Sequence, residues 1–272
     1  MLWRNYDMGA YDLSVGGWVF ACICGLVVGA SKCGLPGLGT LAVPLMASVL
    51  PAKMATGALL PLLIFGDTLG VIHFRRHANW KILFRLFPPA FAGIVIGFFL
   101  LGRPWMDDQV IRISTGVIVL ALVVMNAFKG RLHSLVESQD PRRPSVLLLA
   151  IGFGLLAGVT TMLANAAGPV ILVYLLLMQL PKDEFIGTSA WYFVVLNWCK
   201  VPFMVYRGMI SVDSLAFNAW LAPAILVGAG AGIFLSGKMS NKSFIKWVEV
   251  LTIIAAIMLF FPKGFLTSLI KG

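Results

Sequence analysis

Apolar residues fill the chain in long blocks, separated by short polar clusters. The blocks run over Ser14–Ala30, Gly37–Leu50, Ala55–His73, Leu83–Leu101, Val110–Phe128, Ser145–Leu163, Gly168–Leu180, Phe185–Val205, Leu215–Ser236 and Phe244–Phe261. Each has, or nearly has, the length a helix needs to cross the ~30 Å hydrocarbon layer of a bilayer. The pattern predicts an all-α polytopic membrane protein of about ten segments. Connections this short leave no room for a soluble catalytic domain, so the function lies within or across the bilayer. The first block leads straight into the second without a convincing small-residue cleavage site, so it reads as a retained helix rather than a signal peptide.

The blocks also repeat. "GLVVG" at Gly25–Gly29 returns as "GLLAG" at Gly154–Gly158, "LP" at Leu50–Pro51 returns at Leu180–Pro181, and "GIVIGFFLLG" at Gly93–Gly102 returns as "GAGAGIFLSG" at Gly228–Gly237. The last pair agrees at five of ten positions, and the offset grows from 129 to 135 along the chain. The pattern divides the protein into a first five-helix repeat over 1–128, a polar cytoplasmic linker over 129–144 ("KGRLHSLVESQDPRRP") and a second repeat over 145–272. Five crossings per repeat make the second copy enter from the opposite side, so the repeats are inverted. Inverted repeats are the signature of many secondary transporters, in which two halves exchange conformations around a site near the midplane.

Composition agrees with lipid as the solvent: 60% of residues are hydrophobic and 12% charged, and the mean hydropathy is +0.93. The net charge of +10 would suggest nucleic acid in a soluble protein, but here the basic residues sort by loop. One set of connections holds Arg75, Arg76, Lys81, Arg85, Lys129, Arg131, Arg142, Arg143, Lys182, Lys238, Lys242 and Lys246. The opposite set is sparser and is partly offset by Asp7, Asp12, Asp107, Asp108 and Asp213. The positive-inside rule then places both termini on the outer face, and no nucleic-acid partner is expected. Cys22, Cys24 and Cys199 sit inside predicted helices without ligand partners, which argues against a disulfide framework or a zinc site; no cofactor is called for.

The breaks between blocks carry the candidate chemistry. "GASKCGLPGLGTLAVPL" at Gly29–Leu45 and its counterpart "TTMLANAAGP" at Thr160–Pro169 occupy matching places in the two repeats. Paired Gly/Pro interruptions of short apolar segments point to a transporter binding site, because freed backbone amides cannot face lipid and must line a cavity. Helices starting at Pro36–Gly39 and Gly168–Pro169 would each present unpaired N–H groups, which favour an anion. Lys32 adds a full positive charge, and Ser31, Thr40, Thr160, Thr161 and Asn165 add neutral donors. Ser31, Lys32, Cys33, Gly34, Pro36, Gly37, Gly39, Thr40, Thr161, Asn165 and Gly168 are therefore substrate-binding candidates. For Lys32 the competing account is a side chain snorkelling to the headgroups, and for Cys33 a small packing residue.

Asp67 and Lys200 are ionisable residues inside predicted helices, where a charge costs roughly 2.5–3.5 kcal/mol on insertion scales. In the repeat register Asp67 corresponds to Asn197, one turn before Lys200. Asp67 is the candidate for a coupling proton, with Asn197 and Lys200 completing the substrate-binding set and Thr188 or Ser189 as further donors. Counting from the helix middles separates Asp67 from Lys200 by roughly 12 Å in depth, so a direct pair needs tilt or snorkelling. His73, Arg75, Arg76 and His77 read as a solvated cluster, and Trp191 as core packing.

The sequence resembles the sulfite exporter TauE/SafE family. The resemblance rests on "GASKCGLPGLGTLAVPL", the following "LPAKMATGALLP", and their weaker echo "LANAAGPVILVYLLLMQLPKDEFIGTSAWYF", and it covers essentially the whole chain. It implies a bacterial cytoplasmic-membrane carrier that exports small sulfur-containing anions such as sulfite or organosulfonates. With the residue chemistry this gives a secondary transporter working by alternating access, coupled to protons or to the membrane potential. An uncoupled anion channel is the competing reading, and a homodimer is left open.

Overall fold

The computed structural model describes residues 11, 13–47, 49–50, 52–106, 110, 117 and 144–260. The predicted block Val110–Phe128, apart from two isolated positions, and the linker 129–143 lie outside the described residues. Among the described residues the chain forms helices and no strand.

The long apolar blocks become long helices: α1 (Val15–Lys32), α3 (Ala52–Phe74), α4 (Trp80–Leu101), α5 (Pro144–Ala164), α7 (Lys182–Tyr206), α8 (Val212–Lys238) and α9 (Asn241–Phe260). Five described segments are long and apolar enough to cross a membrane: Val15–Lys32, Met54–His77, Trp80–Leu101, Val146–Ala164 and Val212–Lys238. At 1.5 Å per residue the 18 residues of α1 span about 27 Å, close to the thickness of the hydrocarbon layer. The second block of each predicted repeat is shorter than its apolar run. The first consists of a 3-10 turn, Leu38–Leu41, and the six-residue α2 (Ala42–Ala47); the second is the eleven-residue α6 (Ala167–Leu177). Left-handed backbone at Gly37 (φ 101°) and Asn165 (φ 52°) separates these segments from the helix before each, and at Gln179 (φ 51°) it stops α6 short of its run, because the α-helical ladder cannot pass through it.

Helix ends are held by specific caps. The Ser14 hydroxyl accepts from the Gly17 amide at 3.2 Å, and Ser211 and Ser214 form a reciprocal capping box on α8. The Asn79 side chain accepts from the Ile82 amide at 3.2 Å to start α4. Its backbone N–H donates to Thr188 Oγ1 at 2.9 Å and its Nδ2 to Glu184, which pins the α3–α4 connection onto α7. Lys182 at the start of α7 donates to the carbonyls of Ser236 and Met239, closing the C-terminal end of α8.

The repeated glycine motifs meet each other. α1 packs along α8 and α4 packs along α5, and each interface joins a "GLVVG"-type motif to a "GIVIGFFLLG"-type motif from the other half. Backbones touch there. A Cβ at Gly29 would lie 2.1 Å from the Ile225 carbonyl, and one at Gly228 would lie 2.1 Å from the Leu26 carbonyl. In the other interface a Cβ at Gly158 would lie 2.0 Å from the Ala90 carbonyl, and one at Gly93 would lie 2.3 Å from the Leu155 carbonyl. Small residues permit such approach, and the dispersion contact it creates is the main attraction between helices in lipid. α3 and α7 cross between these two pairs and carry the intramembrane polar residues.

Candidate anion site

The end of α1, the turn before α2, the α5–α6 break, α3 and α7 surround a cavity of about 90 Å³. Its wall includes Ser31, Lys32, Pro36, Gly37 and Gly39 from the first break, Thr161, Asn165 and Gly168 from the second, and Asp67 and Asn197 from α3 and α7. Both breaks thus border the same space. Val43, Leu63, Leu172 and Phe193 supply apolar surface.

Lys32 ends α1 and points inward. Its Nζ lies 2.8 Å from Asp67 Oδ1 and 4.0 Å from the centre of the Phe193 ring. Two glycines on α3 make this reach possible. A Cβ at Gly66 would meet Lys32 Cγ at 3.1 Å, and one at Gly70 would meet the Lys32 carbonyl at 2.5 Å. α3 therefore lies directly against the last turn of α1, with Asp67 between the two glycines. The second oxygen of Asp67 accepts from Asn197 Nδ2 at 2.7 Å. The ammonium stays in the interior and does not snorkel: the Lys32 side chain is 12% exposed and that of Asp67 0%.

Lys200 is fully buried and serves the second break. Its Nζ donates to the Thr161 carbonyl at 3.2 Å, to Thr161 Oγ1 at 2.9 Å and to Asn165 Oδ1 at 2.6 Å. These acceptors stand at the C-terminal end of α5, where unpaired carbonyls and the helix dipole favour a cation. Asn165 in turn donates from Nδ2 to the Thr56 carbonyl at 3.1 Å, so this left-handed residue ties the break to α3 and α7 together. Asp67 and Lys200 bond to different partners, as their difference in depth along the helices suggested.

Cys33, Gly34, Thr160 and Thr188 lie away from the cavity wall. Cys33 is buried with its thiol 3.7 Å from the Gly66 carbonyl, and Gly34 packs so tightly that a Cβ there would lie 2.2 Å from the Gly232 carbonyl. Thr40 falls in the 3-10 turn Leu38–Leu41. Thr160 donates back to the Leu156 carbonyl of its own helix, Thr188 accepts from Asn79, and Ser189 lines the cavity. Ser31 Oγ accepts from the Gly39 amide at 2.8 Å and holds the first break closed on itself. At the start of α6, Ala166 provides no side-chain cap, and Gly168 and Pro169 of the first turn line the cavity. His73, Arg75, Arg76 and His77 are exposed, and Trp191 packs on Trp80 with ring centres 5.0 Å apart. Phe193, Gly66 and Gly70 were not singled out from sequence. The signal that could have found the glycines is the small-xxx-small spacing that brackets Asp67.

The family model described as Sulfite exporter TauE/SafE matches residues 21–259. The chain belongs to the TauE/SafE family. It is accordingly a multi-pass membrane protein of a transporter family rather than of an enzyme family, and the family's description specifies sulfite export. The TauE/SafE match takes in both breaks, the Lys32–Asp67 pair and Lys200. No curated protein and no solved structure matches the chain.

Proposed function

We propose that this TauE/SafE protein is a secondary transporter that exports small sulfur-containing anions, such as sulfite or organosulfonates, across a bacterial inner membrane by alternating access. Transport is coupled to the proton or to the membrane potential. The observation that carries the reading is the cavity bordered by both helix breaks and by the Lys32 ammonium. Lys32 stands in its wall beside Asp67, and Lys200 lies behind Thr161 and Asn165, which favours a ligand of negative charge. Its volume of about 90 Å³ suits an anion of a few heavy atoms. The binding set in this reading is Ser31, Lys32, Gly37, Gly39, Thr161, Asn165, Gly168 and Asn197, with Lys200 positioning Thr161 and Asn165, and with Asp67 as the coupling residue.

Alternating access between inverted repeats is supported by two contacts. The matching glycine motifs of the two halves pair crosswise, and Asp67 bonds to Asn197, its own counterpart in the repeat register. A residue touches its repeat counterpart only close to the axis that relates the two copies, which is where an inverted-repeat carrier keeps its site. Both termini lie on the outer face in this reading. Membrane-impermeant labelling of cysteines introduced at Arg75 and Asp213, on a background without the native cysteines, tests it: label from outside reaches the second position only.

The transport test uses purified protein in proteoliposomes. Uptake of labelled sulfite, an organosulfonate and sulfate is compared with and without an imposed pH gradient, for wild type and for the Lys32→Met/Asp67→Asn variant, which leaves no stranded charge. Saturable, gradient-driven uptake of sulfite or sulfonate that the double variant abolishes is expected. Rapid uncoupled flux would make the protein an anion channel, and no uptake of any sulfur anion would sink the substrate class.

A further inference from the structure

The Lys32–Asp67 pair lies in the wall of the cavity proposed to receive the substrate, so the cation that would attract an anion already holds a carboxylate at 2.8 Å. Lys32 has few alternatives. Its stem packs on Gly66, and its other close contact is the face of Phe193, which supplies no anionic oxygen. Asp67 is held from its far side by Asn197 and stays behind the ammonium, with no exposed side-chain surface.

We propose that Asp67 is a built-in stand-in for the substrate, so that an anion binds Lys32 only as Asp67 takes up a proton. In the empty carrier the carboxylate satisfies the ammonium. When Oδ1 is protonated, the pair becomes a neutral acid beside a full cation, Lys32 keeps its three protons, and its freed charge is offered to the cavity. The neutral carboxyl can still accept from Asn197 on its other oxygen. Two negative charges do not share one ammonium in a poorly solvated site, so proton and anion enter together and leave together. The result is one proton carried per anion, with each raising the affinity for the other by the same factor, so that export runs down the anion's own outward gradient and an inward proton gradient opposes it.

Charged and polar groups face Asp67 from two helices. Lys32 and the Cys33 thiol face it from the end of α1, and Asn197 and Lys200 from α7. α2 carries no titratable residue, and those of α8, Asp213 and Lys238, sit in its first and last turns. The Lys200 ammonium is taken by Thr161 and Asn165.

This inference rests on the anion-transport reading above, and calorimetry on the purified full-length protein separates the two. Binding of sulfite and of methanesulfonate, which keeps its charge across the range, is measured from pH 5 to 9 in two buffers of different ionisation heat; the proton exchange of sulfite alone is subtracted. The wild type is expected to take up close to one proton per anion, its affinity rising up to tenfold per pH unit as pH falls. Asp67→Asn is expected to bind the anion with no proton uptake, and to lose accumulation driven by a pH gradient. Anion binding by wild type without proton uptake overturns the proposal and leaves the transport reading intact, and it decides the matter even if Asp67→Asn does not fold. Proton uptake that persists in folded Asp67→Asn overturns it as well. If neither anion binds at any pH, the substrate reading falls and takes this inference with it.

Discussion

Removing the two ends of the Lys32–Asp67 pair should not cost the same. Lys32→Met strands a carboxylate with no exposed side-chain surface, left with the Asn197 amide at 2.7 Å as its remaining donor. An uncompensated buried charge of that kind costs about 3–5 kcal/mol. Asp67→Asn leaves an ammonium that still lies over Phe193 at 4.0 Å, retains an amide oxygen as acceptor and has access to the cavity. Its cost is about 1–2 kcal/mol, the scale of weakening one hydrogen bond from a charged donor. The double variant removes both charges and should be more stable than Lys32→Met alone, with a coupling energy of about 2–3 kcal/mol across the cycle. Equilibrium unfolding in mixed micelles of increasing denaturing-detergent fraction, followed by circular dichroism, measures all four proteins. Equal costs for the two single variants, a larger cost for Asp67→Asn, or coupling below about 0.5 kcal/mol would refute the claim that this is a tight pair with unequal access to the cavity.

Three further outcomes can be checked with the same unfolding assay. Lys200→Met removes three hydrogen bonds at the α5–α6 break and should cost about 2 kcal/mol, at the ~0.6 kcal/mol each typical of polar contacts in membrane bundles; sulfite uptake should fall with it because Thr161 and Asn165 lose their anchor. Gly158→Leu drives a Cβ to 2.0 Å from the Ala90 carbonyl and should cost about 3 kcal/mol or more, whereas Gly152→Leu, with nothing within 4 Å, should stay within about 0.5 kcal/mol of wild type. Asn165→Ala loses the bonds to Thr56 and Lys200 and also puts alanine at φ 52°, so it should be less stable than Asn165→Gly by about 1 kcal/mol, the cost of left-handed backbone for a residue with a Cβ.

Much of the architecture is legible in the chain because lipid is an exacting solvent. Apolar blocks of spanning length, separated by basic clusters, leave the backbone few options besides helices, and the described helices fall on those blocks. The two breaks are legible for the same reason: glycine, proline and a lysine cannot sit in lipid without a compensating interior. Asp67 and Lys200 stand out as charges in apolar sequence, and the glycine motifs stand out as repeats. Hydropathy and spacing along the chain determined these features.

What they could not supply is azimuth and partnership. Depth along each helix separated Asp67 from Lys200 but could not say that Lys32 would turn inward to Asp67, because that depends on Gly66 and Gly70 letting α3 lie against the last turn of α1. Nor could it tell that Thr188 is spent on the Asn79 amide while Ser189 reaches the cavity, or that Cys33 and Gly34 pack against neighbouring backbone. The sequence by itself determined a helical membrane protein with two interrupted segments and a few intramembrane charges. Only the tertiary structure decided that both interruptions border one cavity and that its lysine is already paired. A helix crossing sets which side chains meet, and it brings together residues as far apart in the chain as Thr56 and Asn165 or Asp67 and Asn197.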